Sequence, residues 1–127
     1  MLQVTCAIIE HEGKILICQR SSKMTLPLKW EFPGGKIEPG ESKKVCLRRE
    51  IEEELGIQIY IQEELSPVEH HYPNFSLTLY PFRCELCKGQ PVAMEHAQAI
   101  WIQKSELDNF DWAEADLPII KEYQQHR

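Results

Sequence analysis

The chain is short of positive charge and glycine and has no long apolar run, and each shortage excludes something. Lys and Arg number 14 against 20 Asp and Glu, which leaves a formal net charge of −6 at pH 7. A surface of that sign repels duplex nucleic acid and anionic membranes, so neither is an expected partner. No apolar stretch approaches the ~20 residues of a membrane span. Residues 1–10 lack the basic and long apolar regions of a signal peptide, so a cytoplasmic location is expected. There are only six glycines, with no Ser/Gly-rich tract and no repeat, so no linker divides the chain. One domain over residues 1–127 is expected. A second cysteine pair at zinc-ribbon spacing is missing: Cys84-Glu85-Leu86-Cys87 stands alone, and with Cys6, Cys18 and Cys46 the cysteine count of five is odd. That pattern reads as reduced thiols in a folded interior, with the CxxC ending a strand instead of opening a redox helix.

What is present is ordinary globular material, 43% hydrophobic and 27% charged, which argues against disorder. Residues 3–10 and 14–20 are β-rich runs joined across His11-Glu12-Gly13, a hairpin signal. A short extended piece is expected at 28–32, interrupted by Pro33-Gly34-Gly35-Lys36, which reads as a tight backbone turn open to close ligand approach. Residues 42–55 are the clearest helix, with Ser42 as its cap and Gly56 as its stop. Extended stretches follow at 57–62 and, broken, through Tyr72, then strands at 77–87 and 99–103, and a helix at 117–126 with Asp116 as candidate N-cap. Strands with two covering helices give an α+β or α/β/α layered class with a mixed sheet.

The first helix carries an anomaly. Leu47, Ile51 and Leu55 recur at i, i+4, i+8 and form a buried stripe. Glu50, Glu53 and Glu54 lie within an arc of roughly 100° bordering that stripe, where like charges destabilise a helix by about 0.2–0.5 kcal/mol per pair. Arg49, four residues before Glu53, offsets one of them. Glu38 and Glu41 add acids just before the helix. A solvated acidic face is the plain reading. Converging carboxylates without Cys or His are also the donor set of hard divalent cations, Mg²⁺ or Mn²⁺, and the glycine pair ahead of them favours a metal site for phosphate chemistry.

Gly35, then Glu41, then Arg49-Glu50-Ile51-Glu52-Glu53-Glu54-Leu55-Gly56-Ile57 match the Nudix box, G-x5-E-x7-R-E-U-x-E-E-x-G-U, at every defined position. At average residue frequencies a chance match in such a chain has odds on the order of one in a hundred million. The chain therefore resembles Nudix hydrolases over nearly its whole length, and the resemblance implies the Nudix α/β/α sandwich. It also implies roles. Glu50, Glu53 and Glu54 hold divalent ions with a carbonyl from Gly34-Gly35, Arg49 orients these acids, and Glu41 supports the loop. Glu95, in Glu95-His96-Ala97-Gln98-Ala99-Ile100-Trp101, fits a further acidic ligand, while on its own it reads as a loop acid.

The segment Trp30-Glu31-Phe32-Pro33-Gly34-Gly35-Lys36-Ile37-Glu38 is similar to that of the MutT and cytidine-triphosphate pyrophosphohydrolase branch. Arg20 resembles that branch's phosphate-contacting arginine, and otherwise reads as a surface residue at a strand end. Phe32 and Tyr72, with Trp30, stand as base-pocket aromatics or as core. Asp116, in Trp112-Ala113-Glu114-Ala115-Asp116, resembles the base-reading residue, where MutT has asparagine and cytidine-directed enzymes resemble this chain. His70 and His71 are adjacent on a strand, point to opposite faces and do not chelate one ion. The activity so implied is Mg²⁺-dependent hydrolysis of a (deoxy)nucleoside triphosphate to monophosphate and diphosphate, by attack at the β-phosphorus. Glu53, Glu54, Glu50 and Glu95 all remain open as general base, and monomer and homodimer both remain open. Two rivals stand beside this reading. One is another Nudix substrate, ADP-ribose or a dinucleoside polyphosphate, signalled by Tyr72-Pro73. The other is a non-catalytic nucleotide sensor, opposed by the intact set of box acids.

Overall fold

The computed structural model describes residues 1–125. Strands β1 (Leu2–His11) and β2 (Lys14–Gln19) form the expected antiparallel hairpin, with Ile9 opposite Leu16 and His11 opposite Lys14. Glu12 and Gly13 turn the chain at φ of 50° and 78°, the primed geometry that matches strand twist. Strands β3 (Trp30–Glu31) and β4 (Gly34–Lys36) precede helix α1 (Lys43–Leu55). Strands β5 (Gln58–Glu64), β6 (Val68–His71), β7 (Ser76–Lys88) and β8 (Gln98–Gln103) follow it. Two short 3₁₀ turns, Lys104–Asn109 and Glu114–Asp116, lead into α2 (Leu117–Gln124). The expected end of that helix, residue 126, lies outside the described residues.

The sheet is mixed. β1 runs parallel to β7 from Leu2 opposite Leu77 to Glu10 opposite Glu85. Its other edge pairs antiparallel with β4 at Val4–Cys6 and with β2 at Ile9–His11. β2 carries β3 and β8, and β7 carries β5 and β6 on its far edge. Side chains alternate along β1. Ala7 and Ile9 pack with Leu47, Ile51 and Leu55 of α1, whereas Cys6 and Ile8 pack with Ile119, Ile120 and Tyr123 of α2. Both faces of the sheet are thus covered, which makes the α/β/α sandwich.

Helix α1 begins and ends as its sequence demands. Ser42 Oγ accepts from the Val45 amide at 3.2 Å, and Gly56 closes the helix at φ 69° with its amide on the Glu52 carbonyl. Leu47, Ile51 and Leu55 are fully buried, worth about 1.5–3 kcal/mol each. Cys6, Cys18, Cys46 and Cys84 are buried and Cys87 is exposed, all as free thiols.

Three local expectations need correction. Gly34-Gly35 is not a turn. It is strand β4, laid so closely on β1 that a Cβ on Gly34 would stand 1.9 Å from the Thr5 carbonyl oxygen. Residues 28–32 are not one extended piece, because Leu26 and Leu28 take φ of 50° and 63° around Pro27 and only Trp30–Glu31 pair as strand. Trp30 turns into the core against Phe110, with ring centroids 5.0 Å apart. Asp116 does not cap α2 with its side chain. It ends the preceding 3₁₀ turn, and its carboxylate is committed elsewhere.

The Gly34 contact gives a sharp expectation. Gly34→Ala should destabilise the protein by about 1–3 kcal/mol or more in urea unfolding, through overpacking of backbone against backbone. Unchanged stability would mean that β1 and β4 do not approach as described.

Candidate active site

Arg49 holds the acids together. Its Nε and Nη2 donate to both oxygens of Glu41, at 2.6 and 2.8 Å. Nη1 donates to Glu50 at 2.8 Å and Glu53 at 3.3 Å, and Nη2 also reaches the Lys36 carbonyl at 3.2 Å. This two-pronged grip, with the Glu38 amide, pulls the Glu41 carboxyl down to about 2. The three glutamates on the acidic arc of α1 grade from solvent to core: their side chains are 59% (Glu53), 17% (Glu50) and 6% (Glu54) exposed. Burial, then the neighbouring carboxylates Glu50, Glu31 and Glu95, pushes the Glu54 carboxyl up to about 9.

A cavity of about 230 Å³ opens beside this helix, between β1, β4 and the turn before α2. Arg20, Phe32, Tyr72 and Asp116 all line it, as do Gly34 and Gly35. Asp116 is 4% exposed, and its Oδ2 accepts from the Phe32 amide at 2.9 Å. Its carboxyl is raised by burial and by Glu31. The Tyr72 ring stacks on Phe75 at 4.9 Å, and its hydroxyl accepts from the Ala115 amide at 3.0 Å. Arg20 donates to Glu31 at 2.8 Å and to the Thr25 carbonyl at 2.6 Å. Gly35 is the hinge between cavity and helix: a Cβ there would sit 2.2 Å from the Glu50 carboxyl carbon. His70 and His71 find separate partners, Glu114 at 3.2 Å and Ser76 at 2.7 Å.

Glu95 is exposed, on a segment strapped across the end of α1. The Val92 and Met94 amides donate to the Leu55 and Glu54 carbonyls at 3.0 and 3.1 Å, filling acceptors that a helix end leaves open. Sequence reasoning missed two site residues. Glu31 lines the cavity, and His96, 7% exposed, donates from Nε2 to Glu31 at 2.8 Å. The contact spans 65 residues of sequence, so no local spacing signals it.

Among the described residues, no three side chains of metal-ligating kinds converge on one point. The donor chemistry nonetheless fits a hard divalent cation. Glu54 is a buried carboxyl crowded by Glu50, Glu31 and Glu95, and relief of that crowding is what a cation supplies.

Fold and site together define a sandwich with an acid-faced helix beside a base-sized pocket, the layout of an enzyme acting on phosphoanhydrides. The NUDIX domain model matches residues 4–122, and the chain belongs to that family of hydrolases. It is 34% identical to a CTP pyrophosphohydrolase of Escherichia coli K12, over 97% of this chain and 91% of that one. It is 32% identical to an 8-oxo-dGTP diphosphatase of the same organism, over 94% and 93%. Among solved structures, a MutT Nudix hydrolase from methicillin-resistant Staphylococcus aureus 252 superposes at a TM-score of 0.80, with 40% identity, over 99% and 97% of the chains. Nudix hydrolases generally need a divalent metal ion. No helix among the described residues is long and apolar enough to cross a membrane.

The raised Glu54 carboxyl has a thermodynamic sign. An acid whose folded pKa exceeds its unfolded value takes up a proton on folding. Stability is therefore full below about 4.5 and is lost as pH rises towards about 9. In metal-free buffer, Glu54→Gln should raise the melting temperature, and by more at pH 8 than at pH 5. A variant less stable than wild type at pH 8 would contradict the assigned burial.

Proposed function

We propose that this chain is a Mg²⁺-dependent nucleoside triphosphate pyrophosphohydrolase, converting (d)NTP and water to (d)NMP and diphosphate. Its preferred substrates are modified or cytidine-type nucleotides. The observation that carries this reading is a buried, pocket-lining carboxylate, Asp116, set beside a helix whose Arg49 binds Glu50 and Glu53 of the same helix and Glu41 of the loop before it. The relatives named CTP pyrophosphohydrolase and 8-oxo-dGTP diphosphatase support it.

Mg²⁺, when bound, supplies neutralisation of phosphate oxygens and a more acidic water. Glu50, Glu53, Glu54 and Glu95, with a Gly34 or Gly35 carbonyl, would hold it. The chain itself does the rest. Arg49 binds both the Glu50 and the Glu53 carboxylate and so restrains them as a pair. A glutamate of this group accepts the proton of the attacking water. Arg20, on the pocket wall, offers charge to the polyphosphate, which an acidic protein otherwise repels. Phe32 and Tyr72 give the base apolar walls, and Asp116 meets an edge rich in donors such as an exocyclic amine.

Activity should require Mg²⁺ or Mn²⁺ and vanish in EDTA. Glu53→Gln and Glu54→Gln should each lower kcat by at least ~10²-fold, the scale for losing a general base or a principal electrostatic group. Full turnover in EDTA would refute the reading.

Base choice is tested at Asp116. Since its side chain does not cap α2, Asp116→Asn should leave the melting temperature nearly unchanged, because the amide oxygen still accepts from the Phe32 amide. The new NH₂ faces the base edge in place of an acceptor, a mismatch of roughly 1–3 kcal/mol. Across a nucleotide panel that includes ADP-ribose, kcat/KM should therefore shift between base types by about tenfold or more. Unchanged preference would remove Asp116 from recognition, and a wild type that favours ADP-ribose would replace the proposed substrate class.

A further inference from the structure

The pocket and the acid-faced helix are joined by a residue with no task in the chemistry above. His96 lies near the far end of the segment strapped over α1, directly before Ala97, whose amide fixes that end to β2 on the Gln19 carbonyl at 2.9 Å. Its side chain is 2% exposed, with no freedom to turn to solvent. Nε2 donates to one oxygen of Glu31 at 2.8 Å, and the other oxygen of Glu31 accepts from Arg20 at 2.8 Å. Nδ1 has no hydrogen-bond partner among the described residues and lies 3.8 Å from Glu54 Oε1. A buried ring nitrogen without a partner is rare enough to need a reason.

We propose that His96 is a positioning residue that ties the pocket arginine to the metal-side glutamate. One arm, through Nε2, holds Glu31 and with it the guanidinium of Arg20. The other side of the ring, at Nδ1, stands 3.8 Å from Glu54 Oε1 and so bounds where the Glu54 carboxylate stands when it receives a cation. A residue kept only for packing needs neither nitrogen. Here both ring nitrogens face carboxylates, one of β3 and one of α1, that belong to opposite halves of the site. Partners behind a metal ligand usually change affinity or activity by about 10–100-fold when removed. The inference rests on the hydrolase reading above and adds to it a residue outside the Nudix box.

Side-chain length separates the two arms. His96→Gln places an amide where Nε2 stood and keeps the Glu31 arm, whereas His96→Asn places one where Nδ1 stood and keeps the Glu54 arm. His96→Leu keeps neither. The readouts are nucleotide KM and kcat at saturating Mg²⁺, and the dissociation constant for Mn²⁺ measured by electron paramagnetic resonance without nucleotide. His96→Asn should raise KM by about tenfold and leave Mn²⁺ affinity within about twofold. His96→Gln should weaken Mn²⁺ binding by about tenfold and leave KM within about twofold, and His96→Leu should show both losses. A folded His96→Leu with neither change overturns the proposal, as do Gln and Asn variants that behave alike. The wild type offers a test that no misfolding can spoil: the ring ¹⁵N resonances of His96 should move on titration with Mg²⁺ alone, and resonances unmoved at saturation overturn the Glu54 arm. If the wild type hydrolyses no nucleotide, the functional reading fails, while Mn²⁺ affinity and the ring resonances still decide the role of His96.

Discussion

The organisation of this site depends on one guanidinium. Arg49 lies under Glu41, Glu50 and Glu53 and also binds the Lys36 carbonyl, so a single planar cation joins the loop after β4 to the acidic face of α1. Without it, Glu41, Glu50 and Glu53 would meet with no opposite charge between them, and the helix would carry its like-charge pairs uncompensated. Lysine would not serve equally. Glu41 is gripped by two nitrogens at once while a third serves Glu50, and only a planar fork presents that many directed donors.

From this anchor the carboxylates form a graded series. Glu53 is largely in solvent, Glu50 is mostly shielded and Glu54 is buried, while Glu31, partly exposed, and Asp116, buried, line the pocket wall. Burial makes the two innermost charges, on Glu54 and Asp116, harder to keep. The Glu54 and Asp116 carboxyls are accordingly raised, whereas Glu41 under the arginine is lowered. Arg49 stands at the outer end of the series and Arg20 at the inner. The middle, around Glu54, has only a histidine nearby, and that is where an added cation gains most. A cation held there would make the net acidity of the chain compatible with a polyanionic substrate.

What could be read from the sequence was whatever local spacing controls. Ser42, the Leu47–Ile51–Leu55 stripe and Gly56 define a helix from its own residues, and the placement of Glu50, Glu53 and Glu54 follows from 3.6 residues per turn. The β1–β2 hairpin and the long β7 strand were legible for the same reason. Interpretation failed where a distant segment decides the outcome. Gly34-Gly35 looked like a turn because glycine pairs usually are turns, yet here the missing side chains admit the Thr5 backbone. Asp116 looked like a helix cap because it precedes α2, but the Phe32 amide, 84 residues away in sequence, claims its carboxylate. Leu28 looked extended, and the turn around Pro27 placed it in the left-handed region instead. His96 was read as one letter in a strand-leading segment. Its meaning comes from β3 and α1, which only the folded chain brings to it.

The glycine pair shows how the same constraint links fold to site. One neighbour of Gly34 is the backbone of β1, and one neighbour of Gly35 is the Glu50 carboxylate on α1. Both glycines also line the cavity. Two residues without side chains thus separate sheet, pocket and acidic helix by the thickness of a backbone. Any side chain at Gly35 would push Glu50 away from the pocket and strain its hold on Arg49, moving the acids relative to whatever the pocket contains. The spacing between the pocket and the acidic helix is consequently set by main chain, while the pocket wall itself is shaped by side chains such as Asp116. That division separates what fixes the spacing of the two parts from what shapes the pocket.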